Sequence, residues 1–146
     1  MDIEVLDIVM SIRDEYLTMI MNGDKTIELR RKAVNVPPGS RIWLYAKWPV
    51  AHISACATVQ RVVTASPAVV WSLYRSAVGI TRDEFDSYFE GSLSACAILL
   101  ENVRCVVPAL KLDDLRSCLN GFHPPQFFKK LNQGSPELLL LRSHMG

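Results

Sequence analysis

The stretch GDKTIELRRK, residues 23–32, sets Lys25, Glu28, Arg30, Arg31 and Lys32 around two aliphatic side chains, Ile27 and Leu29. Its apolar residues recur with period two, so Ile27 and Leu29 share one face of a strand and Thr26, Glu28 and Arg30 the other. Gly23 suits a left-handed stop for a helix ending just before it. On a half-buried strand, Glu28 and Arg30 stand two apart on one face, close enough to pair. If that face packs on the preceding helix, the charges lose water and must be paired or meet a ligand. Lys25, at the strand's beginning, carries a flexible ammonium that reaches into a cleft, and Arg30 a rigid fork suited to a phosphate or a base edge. A solvated edge with weak surface ion pairs is the competing reading, and composition alone leaves the two even.

Outward from this strand, IEVLDIVMSI (3–12) reads as a strand rich in aliphatic and β-branched residues. SIRDEYLTMIMNGD follows with Tyr16, Leu17, Ile20 and Met21 in a helical stripe, and Ser11 or Asp14 as its cap. After the NVPPGS turn, RIWLYA is a strand, KWP a corner, and VAHISACATVQRVV a long alternating strand. SPAVVWSLY reads as a helix with Ser66 as cap and Pro67 at its first position. TRDEFDSYF reads as another, with Thr81 and Glu84 forming a capping box. LSACAILLENVRCVV returns to strand character with a bend near Glu101 and Asn102. In the tail, KLDDLRSCL and HPPQFFKKL read as helical pieces and ELLLLRS as a strand. Five or six strands with helices inserted between them predict an α+β fold, a small β-barrel with flanking helices, formed by residues 1–146 as one domain.

The chain has 146 residues, 49% hydrophobic and 21% charged, which suits a folded core and argues against disorder. Net charge is +1, but residues 25–32 hold four basic and one acidic residue against twelve and fourteen elsewhere, a local field suited to steering an anion. Apolar runs such as ACAILL fall short of the roughly 20 residues that a membrane span needs. MDIEVLD is acidic and lacks the basic-then-apolar order of a signal peptide, so a cytoplasmic location is expected. Cys56, Cys96, Cys105 and Cys118 form no CxxC pair and read as buried, reduced thiols, with no metal site and no cofactor expected.

Catalytic motifs are sparse. There is no HxxxH pair, GxSxG elbow, Walker loop or GxGxxG. His52 lies on the polar face of its strand, His123 precedes two prolines, and His144 falls in a tail expected to be disordered. Asp83, Glu84 and Asp86 are explained as the acidic first turn of a capped helix, and Asp113 and Asp114 in the same way. Trp71 and Tyr74, three apart on a helix, read as packing, and Trp43 as core.

GDKTIELRR resembles the GxKxxExR signature of the ASCH family, a branch of the PUA-like superfamily, with Gly23, Lys25, Glu28 and Arg30 on the signature positions. The resemblance extends over roughly residues 8 to 130. SIRDEYLTMIMNG is similar to the family's strand leading into its first helix, VPPGSRIWLYAKWPV to its turn and barrel strand, ISACATV to the next strand, and SPAVVWSLY to a helix that often carries a tryptophan. TRDEFDSYFEG and LSACAILLENV fit the segment before the closing strands.

The resemblance implies a PUA-like barrel with a cleft between barrel and first helix, lined by Lys25, Glu28 and Arg30. It implies RNA, single-stranded or nucleotide-sized, as partner, with a role in RNA metabolism or in transcription or translation regulation. Tyr45 and Trp48 are expected to stack on an unpaired base and Lys47 to contact the backbone. Two enzymatic alternatives come from the same superfamily. Acylated-cytidine amidohydrolases use a lysine, a threonine and a glutamate. Here Lys25 matches, Glu28 holds the threonine's place with Thr26 nearby, and Glu84 stands a few positions from where the glutamate belongs. In a ribonuclease, Lys25 would stabilise phosphate charge and Glu28 act as base, a task that pairing with Arg30 makes harder. A third reading, a protein-interaction cleft for an acidic peptide, lacks an exposed aliphatic helix stripe.

Overall fold

The computed structural model describes residues 4–119 and 121–145. Its elements run β1 (Asp7–Ile12), α1 (Asp14–Asn22), β2 (Ile27–Arg30), β3 (Arg41–Ala46), β4 (His52–Ala65), α2 (Pro67–Tyr74), α3 (Arg82–Tyr88), β5 (Ala95–Lys111), α4 (Leu112–Cys118), β6 (Phe128–Leu131) and α5 (Pro136–Ser143). Ile3, at the start of the first expected strand, lies outside the described residues.

The six strands form one curled half-barrel sheet in the order β2-β5-β4-β3-β1-β6. β1 pairs in parallel with β3, and the other pairings are antiparallel. All six residues of β1 are buried, because both its faces are covered, and its middle, Ile8–Met10, is accordingly apolar without alternation. β4 and β5 lie along each other with three shifts of register, between Ile53 and Ala55, Cys56 and Thr58, and Val59 and Arg61. Such bulges bend a strand and raise its local twist, which is how two long strands follow a curled surface. The expected bend at Asn102 appears as a left-handed residue at φ 49°.

Three apolar clusters hold the elements. Ile8, Met10, Ile42, Leu44, Ala55, Ala57 and Ile98 form a core that receives Leu17 and Ile20 of α1. The opposite faces of β1, β3 and β4 give Val9, Trp43 and Ile53, which pack with Leu115 of α4 and Leu138 and Leu141 of α5. Ile27 and Leu29 of β2 join Ala95 and Ala97 of β5 under Val70 of α2, Phe85 of α3 and Phe89 just after it. The carboxylate of Asp7 ties α5 to the sheet, accepting from Trp43 Nε1 at 3.1 Å, Gln133 Nε2 at 3.2 Å and Arg142 Nη2 at 3.3 Å.

Several sequence expectations are corrected. ELLLLRS is the helix α5, capped by Ser135, whose Oγ accepts from Leu138 N–H, with Pro136 in the first turn. HPPQFFKKL supplies the strand β6, which pairs with β1 through residues 128–131. α1 has Arg13 at its cap with no side-chain hydrogen bond, because β1 continues through Ser11 and Ile12. His144 is ordered, its Nδ1 2.9 Å from Pro108 O. Cys56 and Cys96 are buried, and burial pushes the Cys56 thiol up to about 11, but Cys105 and Cys118 are exposed.

Candidate functional site

β2 delivers its polar face into a cleft of about 450 Å³ bounded by the end of β1, by α1 and by α3. Pairing with β5, in the register Glu28↔Ile98 and Arg30↔Cys96, fixes that face in place. Gly23, at φ 84°, ends α1 and turns the chain so that Lys25 enters the fold beneath it.

Lys25 is only 2% exposed. Its ammonium donates to Val78 O at 2.7 Å, stands 3.8 Å from Glu28 Oε1, and lies 5.0 Å from the centre of the Tyr16 ring. The carbonyl comes from residues 77–80, between α2 and α3, whose Ala77 O also receives the N–H groups of Thr26 and Ile27. Gly79 is required there: at φ +71°, a Cβ would stand 2.9 Å from Met19 Cε and 3.0 Å from Lys25 Cβ. Burial lowers the ammonium below the ordinary lysine range, Glu28 works against that shift, and Arg30 adds to it.

Glu28 is held between two cations. Its Oε1 accepts from Leu29 N–H at 3.0 Å and its Oε2 from Arg30 Nη2 at 3.0 Å. The same Nη2 reaches Ser11 O at 2.8 Å, joining β2 to β1. Among the described residues, Arg30 Nε is the one buried side-chain nitrogen or oxygen without a hydrogen-bond partner. A buried donor left unpaired costs about 1–3 kcal/mol, so its presence beside a cleft marks a place where a ligand acceptor gains.

The cleft also takes Arg13 and Lys47 at its mouth and Tyr88, Ser87 and Glu84 from α3. Glu84 completes the expected capping box, its Oε1 accepting from Thr81 N–H, and these bonds to Thr81 lower its carboxyl. Burial raises the Tyr16 hydroxyl, with Arg13 opposing. A shallower hollow of about 290 Å³ adjoins the mouth, sharing Arg13 and Lys47 and adding Trp48, which is 83% exposed. The expected residues Lys25, Glu28, Arg30 and Lys47 thus meet around one cleft, with Trp48 beside it. Tyr45 does not join them: it is 4% exposed and packs with Trp43 and Ile53 on the other face of β3. Thr26 is exposed and outside the cleft lining. Among the described residues, no group of three or more His, Cys, Asp or Glu could hold a metal ion.

A family model described as a domain of unknown function, DUF365, matches residues 5–128, and the chain belongs to that family. An ASCH domain-containing ribonuclease from Zymomonas mobilis is 30% identical over 132 residues, spanning 90% of this chain and 88% of that protein. The chain is an ASCH domain. The crystal structure of ASCH from Zymomonas mobilis superposes with a TM-score of 0.87 at 29% identity, covering 96% of each chain. The N-terminal domain of Staphylothermus marinus McrB, at 11% identity and a TM-score of 0.57 over 98% of this chain and 99% of that one, shares the fold. The ASCH signature residues Gly23, Lys25, Glu28 and Arg30 therefore stand in a fold of the family's own kind. What the sequence left mostly unread in this ASCH domain is the far wall. Glu84 was legible both as a cap and as the glutamate nearest the amidohydrolase position, but Tyr16 stood in an apolar stripe, a role that hides a second use. Tyr88 and Ser87 carried no signal, since only the packing of α3 on β2 and β5 brings them over Lys25.

Proposed function

We propose that this ASCH domain binds RNA, taking a nucleotide-sized part of a single strand into the cleft with Lys25, Glu28 and Arg30. The observation that carries the reading is the row of buried Lys25 and Glu28 and half-buried Arg30, with its unpaired Arg30 Nε, in a cleft of about 450 Å³. That volume falls in the range of about 300–1,000 Å³ that accommodates small ligands, and suits a splayed nucleotide better than a stacked duplex. The basic mouth formed by Arg13 and Lys47 suits the phosphates on either side. Free thiols at Cys56, Cys96, Cys105 and Cys118, with no helix of the described residues long and apolar enough to cross a membrane, accord with a cytoplasmic setting.

The test is fluorescence anisotropy with short single-stranded RNA. Arg30→Ala and Lys25→Ala are expected to weaken binding roughly 10- to 100-fold, the range for hydrogen bonds to charged groups. Unchanged affinity in both variants would sink the cleft reading.

A second reading, RNA cleavage in the same cleft, is favoured by the name of the Zymomonas relative, a ribonuclease. Lys25 would then stabilise charge on the phosphate under attack. Glu28 is poorly placed as a proton acceptor, since Leu29 N–H and Arg30 already occupy its oxygens. Incubation of unmodified RNA with wild type and Lys25→Ala separates the readings: cleavage lost in the variant supports catalysis, and intact RNA at high protein concentration leaves binding alone. The amidohydrolase alternative is weaker, because Thr26 lies outside the cleft lining.

A further inference from the structure

The cleft opens at the carboxyl end of β1, and the two strands beside β1 bring an aromatic ring to each flank of that opening. On the β3 side, Lys47 N–H donates to Ile12 O at 2.9 Å, and Trp48 follows with its indole 83% exposed. On the β6 side, Ser11 N–H donates to Phe127 O at 2.9 Å, and the Phe127 ring is 48% exposed. With neighbouring strands about 4.8 Å apart, two spacings set these flanks roughly 10 Å from each other, on either side of the β1 end whose Ser11 and Ile12 line the cleft.

Each ring has cationic company. Lys32, two residues beyond Arg30, places its ammonium 4.9 Å from the centre of the Phe127 ring. Arg13 and Lys47 line the hollow that holds Trp48. That hollow also contains Asp14 and Glu15, and Glu15 is paired with Arg13 at 3.6 Å. Those carboxylates disfavour a phosphate inside the hollow, so the charges favour phosphate at the Lys47 rim and a base over the indole. A large apolar side chain standing this far into water contributes little to folding, and an aromatic face beside a cation is what an unpaired base stacks on.

We propose that Trp48 and Phe127 are two stacking platforms on either side of the cleft, so that a single strand crosses the end of the sheet from β3 to β6. About three nucleotides are engaged, one in the cleft and one on each ring, with Lys47 and Lys32 at the phosphates between them. The path rests on the cleft binding RNA and makes this a reader of single-stranded segments, closed to duplexes whose bases are already stacked.

The test measures binding of a fluorescein-labelled, 2′-O-methylated RNA hexamer of randomised sequence, which resists cleavage, alongside cytidine 3′-monophosphate. Trp48→Leu and Phe127→Leu remove a ring but keep apolar bulk at exposed sites, and unchanged melting temperatures confirm folding. Each is expected to weaken the hexamer roughly 5- to 100-fold, a far larger change than for the mononucleotide. The proposal is overturned if either variant binds the hexamer like wild type, if mononucleotide binding falls equally, or if a blunt RNA duplex or an acidic peptide competes as well as the hexamer. Loss of hexamer binding in Arg30→Ala, with both ring variants unaffected, leaves the cleft reading standing and removes the path. Unchanged binding in Arg30→Ala and in both ring variants removes both.

Discussion

Lys25 shows how one residue joins folding to the site. A lysine of 2% exposure is tolerated because Val78 O, Glu28 and the face of Tyr16 together replace its water. The replacement is incomplete, since burial still lowers its ammonium below the ordinary range, which in an unfolded chain lies near about 10.4. Between the lowered value and the unfolded one, the unfolded chain binds more protons, so stability from this group rises as pH climbs through that window. Urea unfolding of wild type and Lys25→Met, compared at about pH 8 and about pH 10, should show the wild type gaining relative to the variant at the higher pH. Equal pH dependence in the two proteins would mean that Lys25 is solvated as an ordinary surface lysine. The sequence made this residue visible through its place at the head of a period-two strand. It could not show that the ammonium's nearest partner is a carbonyl 53 positions away.

At the scale of elements, the junction between α2 and α3 governs the site more than its sequence suggests. Within SAVGIT, residues 76–81, Ala77 and Val78 turn their carbonyls toward β2 and Lys25, and Gly79 rests against the lysine stem. Gly79→Ala therefore faces two costs, a left-handed backbone and a contact of 2.9–3.0 Å, whereas Gly91→Ala, at φ +75° with nothing within 4 Å, faces only the first. Backbone strain of this kind costs about 1–3 kcal/mol, so both variants should melt earlier, Gly79→Ala the more so, and only Gly79→Ala should also weaken RNA binding. Equal melting and binding in the two would show that the approach to Lys25 has slack. The same scale explains what was legible. β2, α2 and α3 were readable because period, caps and turns agreed, and α1 by its stripe and its Gly23 stop, although its cap was not. The last two elements were exchanged because ELLLLRS has an uninterrupted leucine run that hides its i, i+3 burial at Leu138 and Leu141, and because the prolines of HPPQFFKKL imitate a helix start. The Ser135–Pro136 pair carried the same start signal as Ser66–Pro67, where it was read correctly.

For the whole molecule, a net charge of +1 excludes a protein that holds RNA by bulk attraction. Its useful cations are gathered at the carboxyl end of β1, where Arg13, Arg30 and Lys47 line the cleft and Lys32 stands at the Phe127 flank. The six-stranded sheet makes that gathering possible, since β3 and β6 lie on either side of β1 and deliver their connections to its end. Sequence reading reached the local charge at residues 25–32 but not Arg13, because the neighbours of a strand end are set by the sheet order. If three or four phosphates are met there, each neutralised contact on a single strand contributes about −0.7 to the slope of log K against log salt. Anisotropy titrations of a short single strand between about 50 and 200 mM salt should then give a slope of about −2 to −3. A slope near zero would mean that the cleft recognises a base without its backbone, and one steeper than about −5 would require a basic track longer than this end of the sheet provides.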